Sequence, residues 1–537
     1  MDTVSDLLSD TPRREAAAWR VHEAYDIELP RLALWNYEPC GRHAHEEHPR
    51  PDCMMCGVEF RRHQRVGISW LYLKQRALLA DSVGTGKTIH AAGLMALLME
   101  KGKLHRRQRA LVVTRPAALG QWERQLKRMV PSMKVIVSTG DARDRQIRYS
   151  LDWEVCLIGY QMLQRDIDTV MTYPLDTLIV DDVDALRNRT NKTARNLKRV
   201  ASVCDYRVIM TGTPLQKKLH EMHSVTEPIG GREIFGSEKA FMDRYTRRER
   251  QIYWRGRRKI VTQKVVGYKH VDEFKEKIAP LALRRTAVDI DDVDLPAISP
   301  QTVWLELTAP QREAYDELRE GVLRIRRETG DDVKHAAALA QMLYGARICS
   351  GIGALDPTLD SPTNSSKMEW VMDVLQGDLS DEKVVLFANF TDTIKCLHRR
   401  FAEAGIEQVT IWGPENNRRI RDERIARFWD DPECKVLIGT SSIEQSLNLQ
   451  VSRHMICMDT LLNPARMEQL AGRLRRDGSR YGTVYVHNLR CLDTQEEGYD
   501  SLLEREQALI DHVWDEESEL FEALTPLQLL QLIGGRQ

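Results

Sequence analysis

The chain has 537 residues, 42% of them hydrophobic and 29% charged, with a formal net charge of −1. That length exceeds what one hydrophobic core organises, so two large domains with extra segments are expected. The near-neutral balance excludes an overall basic character as the ground for nucleic-acid binding, and no apolar run is long enough to span a bilayer.

The first clustered cysteines come early. Cys40-x-x-His43 is followed by Cys53-x-x-Cys56, with proline, histidine and acidic residues between. Two paired ligands across a short loop suit a closed, tetrahedral, structural Zn²⁺ site. His45 or His48 could replace His43 as a ligand, and a reduced, metal-free loop is the plainer alternative. An apolar run, Ala77–Ala80, then leads into Asp81-Ser82-Val83-Gly84-Thr85-Gly86-Lys87-Thr88 and the helix-forming run Ile89–Glu100. Strand, glycine turn and helix in this order make a phosphate loop. Gly84 and Gly86 let the backbone approach a polyphosphate, and the helix N-terminus adds partial positive charge. Lys87 can reach the terminal phosphates and the Thr88 hydroxyl can ligate Mg²⁺. Asp81 stands where the strict pattern has glycine.

Short continuous apolar runs follow, as in strands buried on both faces of a parallel sheet. They are Ala110–Thr114, Val135–Ser138, Val155–Gly159, Thr177–Val180 and Arg207–Met210. Residues 215–365 are charged and helix-forming, with no comparable strand series. Within them, Arg244 to Lys259 is half Lys or Arg, interleaved with Tyr245, Tyr253 and Trp254. These cations, Arg257 and Arg258 among them, could neutralise phosphates with the aromatics stacking, or form only a solvated basic face. A second strand set is Val384–Ala388, Val409–Trp412, Lys435–Gly439, His454–Met458 and Thr483–Val486. Beyond Arg490 the chain is acidic, and Leu502, Leu503, Leu509, Ile510 and Val513 predict a helix packing back on the body. The fold class expected is α/β, with two doubly wound parallel-sheet lobes separated by helical insertions.

Several motifs occur in fixed order. They are Phe60–Gln64, the phosphate loop, Arg115-Pro116 with Trp122, Asp181-Asp182-Val183-Asp184, and Thr211-Gly212-Thr213-Pro214. After these come Leu283-Arg284-Arg285-Thr286 with Leu295-Pro296, Leu307-Thr308 with Gln311 and Tyr315, and Ser366-Lys367. Gly439–Ser442 with Ser446–Leu449, and Asn463-Pro464 with Gln469–Arg476, close the series. Together, from about Phe60 to about Arg490, they resemble the Swi/Snf-type DNA translocases of helicase superfamily two.

The resemblance implies a RecA-like ATP-binding lobe at 59–230 and a second lobe at 366–490. An N-terminal extension with the zinc knuckle (1–58), insertions and linker with the basic patch (231–365), and C-terminal bracing helices (491–537) complete the chain. It implies that Gln64 reads adenine beside a phosphate loop that includes Asp81, Gly84, Thr85, Gly86, Lys87 and Thr88. Asp181 would hold Mg²⁺ with Thr88, and Asp182 would orient the attacking water in place of the family glutamate. Asp184 stands for the family histidine. Trp122 would belong to a segment touching the nucleic-acid backbone, although it could equally be core. Thr440 and Asn448 would grip a strand, and Arg473 and Arg476, one turn apart on a helix face, would meet the γ-phosphate. The implied activity is ATP-driven translocation along double-stranded DNA, by a cytoplasmic, monomeric bacterial or phage protein. The shorter Asp182 keeps open an ATP-gated DNA-binding switch that barely hydrolyses. An RNA-duplex helicase is disfavoured by the segments between the lobes.

Overall fold

The computed structural model describes residues 29, 31–50, 53, 55–187, 191–214, 219–255, 258–286, 289–290, 295–329, 335–361, 364–412, 418–443, 447–460, 464–476, 479–500, 503 and 533. The chain divides into two compact units between Leu295 and Pro296.

The first unit carries β1 (Arg76–Leu79), β2 (Arg109–Thr114), β3 (Val135–Ser138), β4 (Val155–Gly159), β5 (Leu175–Asp181) and β6 (Tyr206–Met210). Among the described residues, β7 (Thr246–Arg255) and β8 (Arg258–Tyr268) form a separate antiparallel pair. β9 (Ala282–Leu283) returns to the main sheet, a seven-stranded parallel array in the order β3-β4-β2-β5-β6-β1-β9. Parallel neighbours need crossovers, and helices supply them. α1 (Arg62–Lys74) precedes β1, α2 (Lys87–Glu100) joins β1 to β2, and α3 (Leu119–Met129) joins β2 to β3. Because both faces are covered, Ala77–Leu79, Leu111–Val113 and Leu178–Val180 are buried without alternation.

The second unit holds β10 (Ala297–Leu305), β11 (Val384–Phe387), β12 (Gln408–Ile411), β13 (Val436–Gly439), β14 (His454–Cys457) and β15 (Thr483–Cys491). They form a parallel sheet in the order β10-β15-β14-β11-β13-β12. A separate apolar cluster joins Tyr315, Val322, Met342, Cys349, Cys491, Tyr499 and Ile533. Of the predicted C-terminal packing residues, Leu502, Leu509, Ile510 and Val513 lie outside the described residues.

Two expectations for residues 215–365 are corrected. The region is not free of sheet strands, because β9 and β10 extend both sheets. β10 escapes an apolar-run reading because it is an edge strand. Its residues are largely exposed or half-buried, and Pro300 is tolerated there. The basic patch is also not helical. It forms the β7–β8 ribbon, whose Ile252, Tyr253, Trp254, Ile260, Val261 and Thr262 are strand formers despite the surrounding charge.

Candidate functional site

The C-terminal ends of three adjacent parallel strands carry three of the motifs. Leu79 of β1 is in register with Met210 of β6, and Met210 with Asp181 of β5. The phosphate loop, Thr211–Pro214 and the Asp181-Asp182 pair therefore emerge side by side. Gly212 is required by that proximity: a Cβ there would lie 2.5 Å from Val83 Cγ2 and 3.5 Å from Lys87 Nζ. Gln216 and Lys217, which continue the Thr211–Pro214 motif in the sequence, lie outside the described residues.

Gly84 (φ +93°) and Gly86 (φ +82°) adopt backbone conformations that side chains disfavour, and Gly86 caps α2. The loop's carbonyls are engaged by donors. Lys87 Nζ donates to those of Asp81 and Ser82 at 2.7 and 2.8 Å. Thr85 Oγ1 also donates to Ser82, at 2.9 Å. His63 Nε2 donates to the Thr85 carbonyl at 3.0 Å, and His90 Nδ1 to that of Gly86 at 3.1 Å. A Gly-rich turn built this way is a ready anion-binding concavity. Thr88 is the second residue of α2 and half-buried. Gln64 is buried, its Oε1 accepts the Arg61 N–H at 3.0 Å, and its amide nitrogen lies over Gly86.

Asp81 is not a phosphate-facing group. It is wholly buried and clamped by Arg285, whose Nη2 donates to Oδ2 at 2.6 Å while its Nε and backbone N–H donate to Oδ1 at 3.2 and 3.0 Å. Arg285 Nη1 donates to the His63 carbonyl at 2.8 Å. Burial would raise the Asp81 carboxyl, but Arg285, then His90 and Lys87, hold it below the usual carboxylate value. Burial, opposed by Asp81 and reinforced by Arg285, pushes His90 down to about 3, so its neutral ring can accept from Arg285 Nη2 at 3.2 Å. The sequence names Arg285 only as part of a motif. No local signal reveals that it closes over a loop 204 positions earlier.

Trp122 Nε1 and Thr114 Oγ1 donate to Asp181 Oδ2 at 2.7 and 3.1 Å. Trp122 is 2% exposed, so its expected direct contact with nucleic acid is corrected: it is core and orients Asp181. Asp182 has φ +78°, a region that aspartate tolerates better than most side chains. Its N–H donates to the Met210 carbonyl at 2.9 Å. The Tyr160 hydroxyl donates to the Asp181 carbonyl at 2.8 Å and also to that of Asp182. The Asp182 carboxylate pairs with Arg115 at 2.8 Å. Asp184 opens a short helix. The Asp181 carboxylate and the Thr88 hydroxyl are hard oxygen donors of the type Mg²⁺ accepts.

In the second unit, Arg473 and Arg476 lie beyond the helix Pro464–Ala471 rather than on its face, which corrects that expectation. They occupy turns in which the Arg473 N–H donates to Leu470 and the Leu474 N–H to Ala471. The Arg473 carbonyl accepts the Leu449 N–H at 2.9 Å, and Arg476 Nη2 donates to the Leu447 carbonyl at 3.0 Å. The arginine turn is thus stitched to the segment bearing Asn448. Burial, and then the neighbouring Arg473 cation, pull Arg476 down to about 9. Asn448 Oδ1 accepts the Gln450 N–H at 3.4 Å, and Thr440 is nearly buried at the end of β13. Ser446 and Asn463 lie outside the described residues.

Cys40, His43, Cys53 and Cys56 converge, with ligand atoms all within 4.8 Å of one another. His43 Nδ1 lies 3.2 Å from Cys40 Sγ and 3.3 Å from Cys56 Sγ. The Cys40 and Met55 N–H groups donate to Cys56 and Cys53 sulfurs at 3.3 and 3.4 Å. Burial would raise the Cys56 thiol, but the backbone donors of Cys40 and Arg50, with Cys40 and His43 side chains, bring it down to about 6. Three sulfurs and one imidazole nitrogen fit tetrahedral Zn²⁺. His45 and His48 instead face Glu46 and Glu59. The segment is fastened to the first unit. Asn36 N–H donates to the Met129 carbonyl at 2.7 Å, Arg128 donates to the Cys56 and Gly57 carbonyls, and Trp35 packs on Phe60 with ring centroids 4.1 Å apart.

The ribbon is less freely basic than its composition suggests. Arg244 pairs with Glu273 and Arg248 with Asp243, while Tyr245 is buried and donates to Glu273 at 3.0 Å. Arg247 and Arg250 are exposed. Arg257 lies outside the described residues, and Arg258 is the first residue of β8.

Comparison with known proteins bears on this arrangement. Residues 63–352 match the SNF2-related domain, and residues 366–478 the helicase conserved C-terminal domain. The chain is 23% identical over 487 residues to the putative ATP-dependent helicase/translocase YwqA of Bacillus subtilis, covering 87% of this chain and 50% of that protein. It is 28% identical over 494 residues to the DNA repair and recombination protein RAD54B of Gallus gallus, covering 81% of this chain and 52% of that protein. The Sulfolobus solfataricus SWI2/SNF2 ATPase core in complex with dsDNA aligns at 22% identity and a TM-score of 0.39, covering 86% of this chain and 94% of that one. The chain spans about half the length of the curated relatives it matches. With the first match alone covering more than half its residues, the chain belongs to the SNF2-related family.

Proposed function

We propose that this chain binds Mg²⁺-ATP in its first unit and hydrolyses it under stimulation by duplex DNA, using turnover to translocate along the duplex. The observation that carries this reading is the alignment of the phosphate loop, Thr211–Pro214 and the two acids at the ends of β1, β6 and β5. Lys87 would leave the loop carbonyls for the terminal phosphates, and Gln64 would meet adenine. Thr88 and Asp181 would hold Mg²⁺, which supplies charge neutralisation at the phosphate oxygens. Asp182 would orient the attacking water. Arg473 and Arg476 are read as the cations that offset charge on the transferring phosphoryl group. Thr440, Asn448 and the exposed Arg247 and Arg250 are read as contacts to the nucleic-acid backbone. Cys40, His43, Cys53 and Cys56 would hold a structural Zn²⁺ that closes the N-terminal segment against α3. A cytoplasmic setting accords with ten free cysteines.

Steady-state ATP turnover against duplex DNA, single-stranded DNA and duplex RNA tests the proposal. Duplex DNA should stimulate most, and Lys87→Ala should abolish the activity. Greater stimulation by RNA, or turnover indifferent to nucleic acid, would refute it. The ion pair between Arg115 and Asp182 favours a second reading, an ATP-gated DNA-binding switch. Tight ATP binding without turnover, even on DNA, would select that reading.

A further inference from the structure

The group read as orienting water is already occupied. Asp182 Oδ2 sits 2.8 Å from Arg115 Nη2. A carboxylate paired with a guanidinium is a poorer acceptor, and Oδ2 is committed to the cation. The backbone of Asp182 has little freedom to withdraw. Its N–H donates to Met210, its carbonyl accepts the Tyr160 hydroxyl, and its φ is +78°. Arg115 is similarly placed. It follows the last residue of β2, and Pro116 behind it opens a 3₁₀ turn. β2 and β5 are hydrogen-bonded neighbours, with Val113 opposite Val180, so the sheet register itself brings the two side chains together. The only inexpensive way to part them is a rotamer change. Both are accessible, Arg115 at 17% and Asp182 at 24%, so an anion from solution can compete for the guanidinium.

We propose that Arg115 is a latch on Asp182: it holds the carboxylate in an unproductive pair until a nucleic-acid phosphate draws the guanidinium away. This rests on the reading of Asp182 as the water-orienting group. The latch couples backbone binding to hydrolysis within the first unit, through side chains on adjacent strand ends. The pair is not sealed from solvent, and a phosphate offers the guanidinium an equivalent charge-assisted contact, so one can exchange for the other. Arg115 is a positioning residue in this scheme, acting on the reaction through Asp182.

The test is ATP turnover by the full chain at saturating Mg²⁺-ATP, with and without duplex DNA, in the wild type, Arg115→Gln, Arg115→Lys and Asp182→Asn. Arg115→Gln should raise the DNA-free rate about fivefold and shrink the further stimulation by DNA correspondingly. Arg115→Lys should move the DNA-free rate the same way by a smaller factor. A purely structural role, or a role in DNA binding alone, cannot raise the DNA-free rate. An Arg115→Gln rate at or below wild type, with ATP affinity intact, overturns the latch. If that variant fails to bind ATP, the same criterion applied to Arg115→Lys decides. Asp182→Asn tests the underlying reading separately: wild-type turnover in that variant would dismiss Asp182 as the water-orienting group, whatever Arg115 does.

Discussion

Arg285→Met should cost the first unit about 3–5 kcal/mol, the range for removing one partner of a buried ion pair. The substitution deletes the Nε and Nη2 donors to Asp81 and the Nη1 donor to the His63 carbonyl. Asp81 has no exposure to solvent, so water cannot replace them. The backbone N–H of residue 285 remains, at 3.0 Å from Oδ1, and offsets only part of the loss. The sign of the pH dependence follows. In the wild type the Asp81 carboxyl is held below its unfolded value near ~3.9, so it contributes stability above that pH and loses it as pH falls through the folded value. Without Arg285, burial pushes the same carboxyl above its unfolded value. The variant's penalty is then full at neutral pH and shrinks as pH falls through the raised value. Urea unfolding, with hydrogen exchange of the α1 and α2 amides to isolate the first unit, measures both. Asp81→Asn combined with Arg285→Met should recover much of the loss, because a neutral amide replaces the stranded charge. A single-variant penalty under about 1 kcal/mol, or a gap that widens on acidification, would refute the reasoning.

Two further outcomes are expected. Metal analysis should find one Zn²⁺ per chain, and either chelation or Cys56→Ser should lower thermal stability and expose the segment before α1 to protease; metal-free protein melting like the wild type would dismiss the site. Gly212→Ala should leave the fold intact but lower ATP turnover by roughly tenfold or more, since its Cβ would press on Val83 2.5 Å away beside Lys87, and undiminished turnover would refute the need for that close approach.

Local chemistry made much of this protein readable. A glycine turn between an apolar run and a helix former has few uses, and the Asp81–Thr88 segment folds as that pattern requires. Strands buried on both faces must be apolar throughout, which exposed most members of both sheets. Cys40 and the Cys53–Cys56 pair carried the spacing of a metal loop, but three histidines competed for the fourth place. Only the folded segment selects His43, because His45 and His48 are turned toward glutamates.

Apolar periodicity and turn geometry act over a few residues, so the doubly buried strands and the order of the motifs could be read locally, whereas β9, the edge strand β10 and the β7–β8 ribbon could not. What the tertiary structure alone decided were the partnerships: Arg285 over Asp81, Trp122 on Asp181, and Arg115 against Asp182. These depend on which strands become neighbours and in what register. β9 beside β1 and β2 beside β5 bring together groups that no local spacing relates.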